Sequence, residues 1–314
     1  MRTMNQTEIS EIFLIGFQNL QDFRFFVICM CLVTYTATIT GNLIIITLVA
    51  TSHHLRSPMF FYLGHLSFSD VLLISNIMPF LVHIILFSGS LVSLKGCITQ
   101  FFFYGLSATT ECLLLTAMSY DRYLAICNPL RYSSIMSSTL CVSIVAFCWS
   151  LGFIITLVPV LLIKTLWFCG PNVIDHFFCD LGPLLELSCS DVSIVKYEVL
   201  LLSGLLTITP FVFIVVTYGH IFITIMKITS VTGRKKAFST CSSHLAVVGT
   251  YYGALFAIYV IPRRGYSLNV NKVVSLMYSV VTPLFNPMIY GLRNKEIKEA
   301  IRNHLLICTR NSRK

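Results

Sequence analysis

Charge is what this sequence has least of. Only 11% of its 314 residues are Asp, Glu, Lys or Arg, whereas 56% are hydrophobic and the mean hydropathy is +0.81. A water-soluble domain of that composition has too little polar surface to cover its core, so the composition points away from soluble proteins and toward the membrane. The chain also lacks a phosphate-binding glycine loop, a zinc-ligand spacing and any set of nucleophile, base and orienting residue, and no catalysis of its own is expected. It lacks the internal repeat that inverted-topology transporters show. Residues 1–24 lack the cationic start, short apolar core and small-residue cleavage site of a signal peptide, so the first apolar segment is expected to serve as an uncleaved anchor.

What the sequence does have is a series of uncharged runs, at residues 25–55, 71–94, 132–163, 199–226, 237–262 and 273–292. Each reaches the roughly 20 apolar residues that a hydrocarbon core requires. A seventh span is assigned to 97–126 in spite of Glu111 and Asp121, because acids inside a span usually face a bundle interior and suggest function rather than a break. The expected fold is all-α. A seven-transmembrane helix bundle occupies 25–291, with spans at 25–50, 58–87, 97–126, 139–163, 197–228, 236–262 and 270–291, after a tail at 1–24. Pro79, Pro159, Pro210, Pro283 and Pro287 fall inside spans, where neighbouring helices can satisfy the freed carbonyls and the kinks can act as bending points.

The sparse charges are unevenly divided. With the N-terminus outside, the inner face carries fourteen Lys or Arg against three acids, Asp121, Glu296 and Glu299, while the outer face carries eight of each sign. The basic excess therefore reads as membrane orientation, N-terminus extracellular and C-terminus cytoplasmic, and not as nucleic-acid binding. Asn5, Gln6 and Thr7 form a glycosylation sequon on the outer side. After Gly291, Ile297, Ile301 and Leu305 recur at helical spacing among cations, which predicts an amphipathic helix on the inner leaflet within 292–314.

Of twelve cysteines, Cys97, Cys169, Cys179 and Cys189 fall on the outer side, three of them in a long loop at about 164–196. Four cysteines permit three pairings. The remaining cysteines act as small buried apolar residues. Cys241 and His244 share a helix face, but two ligands are too few for a metal, and they read as packing.

Arg122, at the inner end of the third span, lies within the run MSYDRYLAICNPLRY at 118–132. An arginine at that depth needs a partner or an interfacial position. That run resembles the third-helix signature of odorant receptors, a branch of the rhodopsin-like G-protein-coupled receptors. Further motifs of the family follow in order: Gly41 and Asn42, LRSPMFFYL at 55–63, SFSD at 67–70, Thr110 to Cys112, HFFCDL at 176–181, Thr217 and Tyr218, KAFSTCSSHL at 236–245 and PMIYGLRN at 287–294. Ser119, Asn128, Thr217 and Gly291 depart from the usual residues without removing a charge.

The resemblance implies a plasma-membrane receptor that binds a small volatile odorant and activates a stimulatory olfactory-type G protein, raising cyclic AMP. The implied ligand pocket lies in the outer half of the bundle, with Tyr104, Ala108, Leu202, Ser203, Leu206, Leu255, Phe256, Tyr259 and Ser279 as its residues; each is also explicable as helix packing. The implied activation switch comprises Asp121, Arg122, Tyr123, Tyr218, Tyr252 and Tyr290, with Asp121 and Tyr218 holding and then repositioning Arg122. The resemblance also implies disulfides Cys97 to Cys179 and Cys169 to Cys189. These would consume the thiol of a soft-metal site built on His176, Cys179 and Asp180.

Similar receptors hold sodium near the residue matching Asp70, so Asp70 and Glu111 form a candidate sodium site with Asn42 and Asn286 close by. A protonated, hydrogen-bonded polar core is the equal alternative. Val280 stands where a retinal-binding lysine would be, and Tyr104 where an amine-binding aspartate would be, so neither opsin nor amine-receptor function is expected. Two other readings are a rhodopsin-like receptor for a non-odorant ligand and a transporter that uses Asp70 and Glu111 as a relay. The second requires polar residues continuing to both faces, and the sequence has none.

Overall fold

A computed structural model describes residues 9–17, 23–260, 272–273 and 275–311, with side chains at all of these except 236, 240, 257–260, 292–293, 295 and 305–311. Asn5 and the side chains of Tyr259 and Leu305 therefore lie outside the described residues. In chain order the structure has β1 (Glu11–Leu14), α1 (Arg24–Thr51), α2 (Pro58–Phe87), β2 (Ser90–Ser93), α3 (Leu94–Cys127), α4 (Pro129–Ile135), α5 (Ser138–Ile163), β3 (Val173–Ile174), α6 (Leu181–Glu186), α7 (Ser193–Met226), α8 (Val231–Val260), a π-helical turn (Met277–Val281) that runs into α9 (Thr282–Arg293), and α10 (Lys295–Asn311).

The long helices are α1, α2, α3, α5, α7, α8 and the π-turn with α9, which together make the seven-helix bundle. Among the described residues, α1, α2, α3, α5 and α7 are long and apolar enough to cross a membrane by length and composition. In α8 the polar opening VTGRKKAFSTCSSH dilutes an otherwise apolar helix. Helix starts follow local chemistry. Pro58 occupies the first turn of α2, where its missing N–H costs nothing. Ser93 caps α3 by accepting from Gly96 N–H at 3.1 Å, and Ser137 caps α5 by accepting from Leu140 N–H at 3.3 Å.

α3 is the hub, packed against α2, α5, α7 and α8. Gly152 lets α5 approach it closely, because a Cβ there would sit 2.8 Å from Thr110 Oγ1. Large apolar side chains point outward along α1 and α7, Phe25, Phe26, Leu200 and Leu201 among them. Such a surface needs lipid as its solvent.

The bundle is all-α as expected, but its disulfide end adds a three-stranded sheet in the order β2-β1-β3. Glu11 pairs with Ser93 antiparallel, and Phe13 with Val173 in parallel. Residues 9–17 are thus not part of a free tail. Ile12 and Leu14 are fully buried, and Gly16 N–H donates to His176 C=O at 3.1 Å. Gly89, at φ 135°, turns the chain from α2 into β2, and a Cβ there would lie 2.3 Å from the Phe13 ring.

At the opposite end, α10 turns away from α9 after Asn294, whose side chain accepts from Glu296 N–H at 2.9 Å. Ile297 and Ala300 are buried on its inner face. His304 and Thr51 at the end of α1 lie within hydrogen-bond distance, 3.1 Å. The amphipathic pattern therefore does form a helix against the bundle.

Candidate functional site

The bundle opens at its disulfide end into a cavity of about 690 Å³. Tyr104, Ala108 and Cys112 reach it from α3, Ser203, Leu206 and Thr207 from α7, Tyr251 and Leu255 from α8, and Ser275 and Tyr278 from the segment that enters α9. The loop between α5 and α7 forms the roof with Asp175, His176, Phe178 and Asp180. Two disulfides fix that roof. Cys97 at the start of α3 is joined to Cys179, with Cα atoms 5.3 Å apart, and Cys169 to Cys189, at 5.8 Å.

The roof is anchored a third time by a buried ion pair. Lys272 is 1% exposed, donates to Gly16 C=O at 2.7 Å and pairs with Asp175. One ammonium therefore ties the N-terminal segment and the loop to the helical residues 272–273. His176 beside it is buried, which holds its imidazole below the usual histidine range. Its Nδ1 accepts from Phe178 N–H at 3.3 Å, as a neutral ring can.

Of the nine pocket residues read from the sequence, Tyr104, Ala108, Ser203, Leu206 and Leu255 line the cavity. Leu202 is half-buried outside its wall. Phe256 is 67% exposed on the bundle's outer surface, because consecutive helix residues point about 100° apart and Leu255 takes the inward direction. Ser279 is buried off the wall and donates to Ser275 C=O at 2.8 Å. Tyr278, within the π-turn, lines the cavity instead. Tyr251, one turn before Leu255, and Thr207, one turn after Ser203, were accessible to helical spacing but missed. The roof residues could have been found from the Cys97 to Cys179 tether.

At the cavity floor, Cys112 Sγ lies 3.2 Å from both Leu206 C=O and the Tyr252 hydroxyl, linking α3 to α7 and α8. Tyr251 O–H donates to Ala108 C=O at 3.0 Å. Deeper still, Asn286 Nδ2 donates to both oxygens of Asp70 at 3.0 and 2.9 Å. Glu111 is fully buried beside Asp70, the two carboxyls close enough to hydrogen-bond to each other. Asn42 Nδ2 donates to Pro283 C=O at 3.0 Å, joining α1 to α9.

The other end of α3 carries the arginine. Arg122 Nε donates to Asp121 Oδ2 at 2.9 Å and a second guanidinium nitrogen contacts the same carboxylate. Tyr132 O–H of α4 donates to the remaining oxygen at 2.8 Å. Tyr218 does not hold Arg122, contrary to the expectation; its hydroxyl pairs with His244 Nδ1 at 2.5 Å. His244, read as packing, is thus a polar clasp between α7 and α8. Tyr123 stacks on Tyr120 and meets His220 edge-on, and Tyr290 is fully buried with its hydroxyl unpartnered among the described residues.

Known proteins match this arrangement along nearly its whole length. A family model described as olfactory receptor matches residues 30–308. Olfactory receptor 5G25 of Mus musculus is 45% identical over 301 residues, covering 96% of this chain and 95% of its own. Olfactory receptor 11L1 of Homo sapiens is 44% identical over 309 residues, covering 96% and 94%, and olfactory receptor 1C1 of Homo sapiens 42% over 309 residues, covering 98% of each. A seven-helix bundle with a roofed cavity at one end and a paired arginine at the other, matched from end to end by these receptors, belongs to the olfactory receptor family, and the chain is a multi-pass G-protein-coupled receptor of that family.

Proposed function

We propose that this receptor binds small volatile organic molecules in the cavity between α3, α7 and α8, and activates a stimulatory olfactory-type G protein at the Arg122 end to raise cyclic AMP. The observation that carries this reading is the continuity of α3, whose 34 residues run from the roofed cavity to the Asp121 and Arg122 pair. At about 1.5 Å per residue, Cys97 and Arg122 lie about 38 Å apart along it. The charge distribution supports placing the disulfide end and N-terminus outside the plasma membrane and the Arg122 end and C-terminus in the cytoplasm.

A ligand between α3 and α8 acts on Tyr252, which touches Cys112 on α3 and meets the Phe211 ring of α7 at a tilt. The far end of α8 is held to α7 by His244 and Tyr218. Swinging that end outward breaks the clasp, frees the Tyr218 hydroxyl toward Arg122 and opens a cleft for the G protein, flanked by the basic start of α8 at Arg234 and Lys235. The family also implies sodium near Asp70. Buried oxygens of Asn42 and Asn286 that have no hydrogen-bond partner among the described residues, beside the Asp70 and Glu111 carboxyls, suit a hard cation, and Asp70 and Glu111 are the residues that would hold it.

The test is a volatile library applied to cells that display the receptor with the stimulatory olfactory G protein, read as cyclic AMP. Wild type responds to a subset. Ala108→Trp puts a large ring into the cavity without touching the Arg122 end, and we expect it to shift every response at least about tenfold at equal surface level. Unshifted responses place the ligand elsewhere.

A further inference from the structure

A threonine inside a helix can spend its hydroxyl on the C=O one turn back, which hides it from any other partner. Thr99, Thr116, Thr156 and Thr250 do so here, at 2.8–2.9 Å. Two threonines on the cavity wall do not. Among the described residues, the hydroxyls of Thr109 on α3 and Thr207 on α7 have no hydrogen-bond partner. Both side chains are half-buried and both oxygens stay open to water, whereas the hydroxyls of Ser107 and Thr110, beside Thr109 in the chain, are sealed in the packing.

The two hydroxyls belong to one place. Cys112 Sγ lies 3.2 Å from Leu206 C=O, so α3 and α7 touch at that level. Thr109 stands one turn from Cys112 toward the roof and Thr207 follows Leu206, so each lies within about 5 Å of that contact along its helix axis. Toward the roof the wall continues apolar, through Phe101, Val199 and Leu200. Among the described residues, the charged groups of the wall stand farther out. Lys196 precedes Thr207 by about 16 Å along α7, and Asp175, Asp180 and Glu186 belong to the roof loop.

We infer that Thr109 and Thr207 together hold the polar handle of the ligand, and that this handle is one uncharged oxygen, a hydroxyl or a carbonyl, on an apolar body. The inference rests on the cavity being the ligand site. A threonine hydroxyl both donates and accepts. The pair can therefore donate twice to a ketone oxygen, or donate once to an alcohol and accept the alcohol's own proton. A ligand without such an oxygen takes water from both hydroxyls and returns no bond, a loss that binding sites of this kind convert into selectivity. An ammonium or a carboxylate held there meets no opposite charge on the wall. Ser275, on the segment that enters α9, also has an unspent hydroxyl on the wall, but it stands singly.

The experiment compares wild type with Thr109→Val, Thr207→Val and the double variant, at matched surface level in cyclic AMP assays. Valine keeps the branched side chain and removes the hydroxyl. The probes are pairs in which oxygen is replaced by carbon: 2-octanol with 2-methyloctane, 2-octanone with 2-methyl-1-octene and benzyl alcohol with ethylbenzene, over a range of chain lengths. Octylamine and octanoic acid are the charged comparators. Wild type is expected to answer the oxygenated member of a pair at lower concentration than its hydrocarbon. Each single variant should weaken the oxygenated responses about fivefold, the double variant should erase the preference within a pair, and hydrocarbon responses should not weaken in any of them. Thr207→Ser, which keeps the hydroxyl, and Ser275→Ala should both retain the preference. Equal shifts for both members of a pair, no shift for either, loss of the preference in Ser275→Ala, a preference for the amine or acid, or a wild type silent to every oxygenated probe overturns the inference. Ala108→Trp separates the two levels. If it silences the receptor while the valine variants fail to discriminate, only the threonine pair falls; if it changes nothing, the cavity reading falls with it.

Discussion

Arg122→Ala is expected to abolish ligand-driven cyclic AMP while leaving ligand affinity, measured without G protein, unchanged. The guanidinium is 11% exposed and lies against the fully buried Asp121 carboxylate, so it is positioned inside the closed end of the bundle and not on its surface. Its removal takes away the cation that the proposed cleft presents to the G protein and strands a buried carboxylate, a change that costs about 3–5 kcal/mol when one partner of a buried pair is deleted. Loss of surface receptor is therefore a competing explanation for silence, and Arg122→Lys distinguishes the two. Lysine keeps the charge beside Asp121 and loses the planar fork. We expect it to reach the surface at wild-type level with a much reduced response. Full signalling from Arg122→Ala would remove Arg122 from the mechanism.

Cys97→Ser and Cys179→Ser should each collapse both surface delivery and response, and the double variant should be no worse than either alone. The bond closes a loop of 82 residues, for which chain entropy alone gives about 4.5 kcal/mol, against about 3 kcal/mol for the 20-residue loop of Cys169 and Cys189. The larger consequence is local. The Cys97 to Cys179 bond holds Phe178 and Asp180 over the cavity, whereas the other bond only staples the loop to itself. Surface staining beside cyclic AMP should thus rank loss of Cys169 or Cys189 as the milder lesion. A Cys179→Ser receptor that signals like wild type would show that the roof is not part of the site.

Much of this was legible in the sequence because membranes impose a coarse grammar. Uncharged runs of span length became α1, α2, α5, α7, α8 and α9, the span assigned in spite of Glu111 and Asp121 became α3, and the apolar pattern among cations after Gly291 became α10. The extended motif around Arg122 and its odorant-receptor resemblance located the paired arginine. Features that depend on distant partners were hidden. β1 is held by backbone bonds to Ser93 and Val173, far away in sequence, and nothing in EIFL announces them. Lys272 reads as one more loop cation until folding brings Asp175 and Gly16 to it.

Rotation about a helix axis was the other blind spot. In α8 both Leu255 and Phe256 are apolar, and in lipid either could face out, so their pattern does not choose between them. In the last span it is Tyr278 and not its neighbour Ser279 that lines the cavity, and the π-turn in which both lie leaves no compositional trace.

The central claim is that occupancy of the roofed cavity is transmitted along α3 and α8 to a G protein at Arg122. It is tested most directly by nucleotide exchange on a purified stimulatory olfactory-type G protein, using the receptor in lipid nanodiscs and the strongest agonist found in cells. Agonist should accelerate exchange on wild type, and neither Ala108→Trp nor Arg122→Ala should respond, although they alter opposite ends of the bundle. Agonist-driven exchange that survives in either variant would contradict the account.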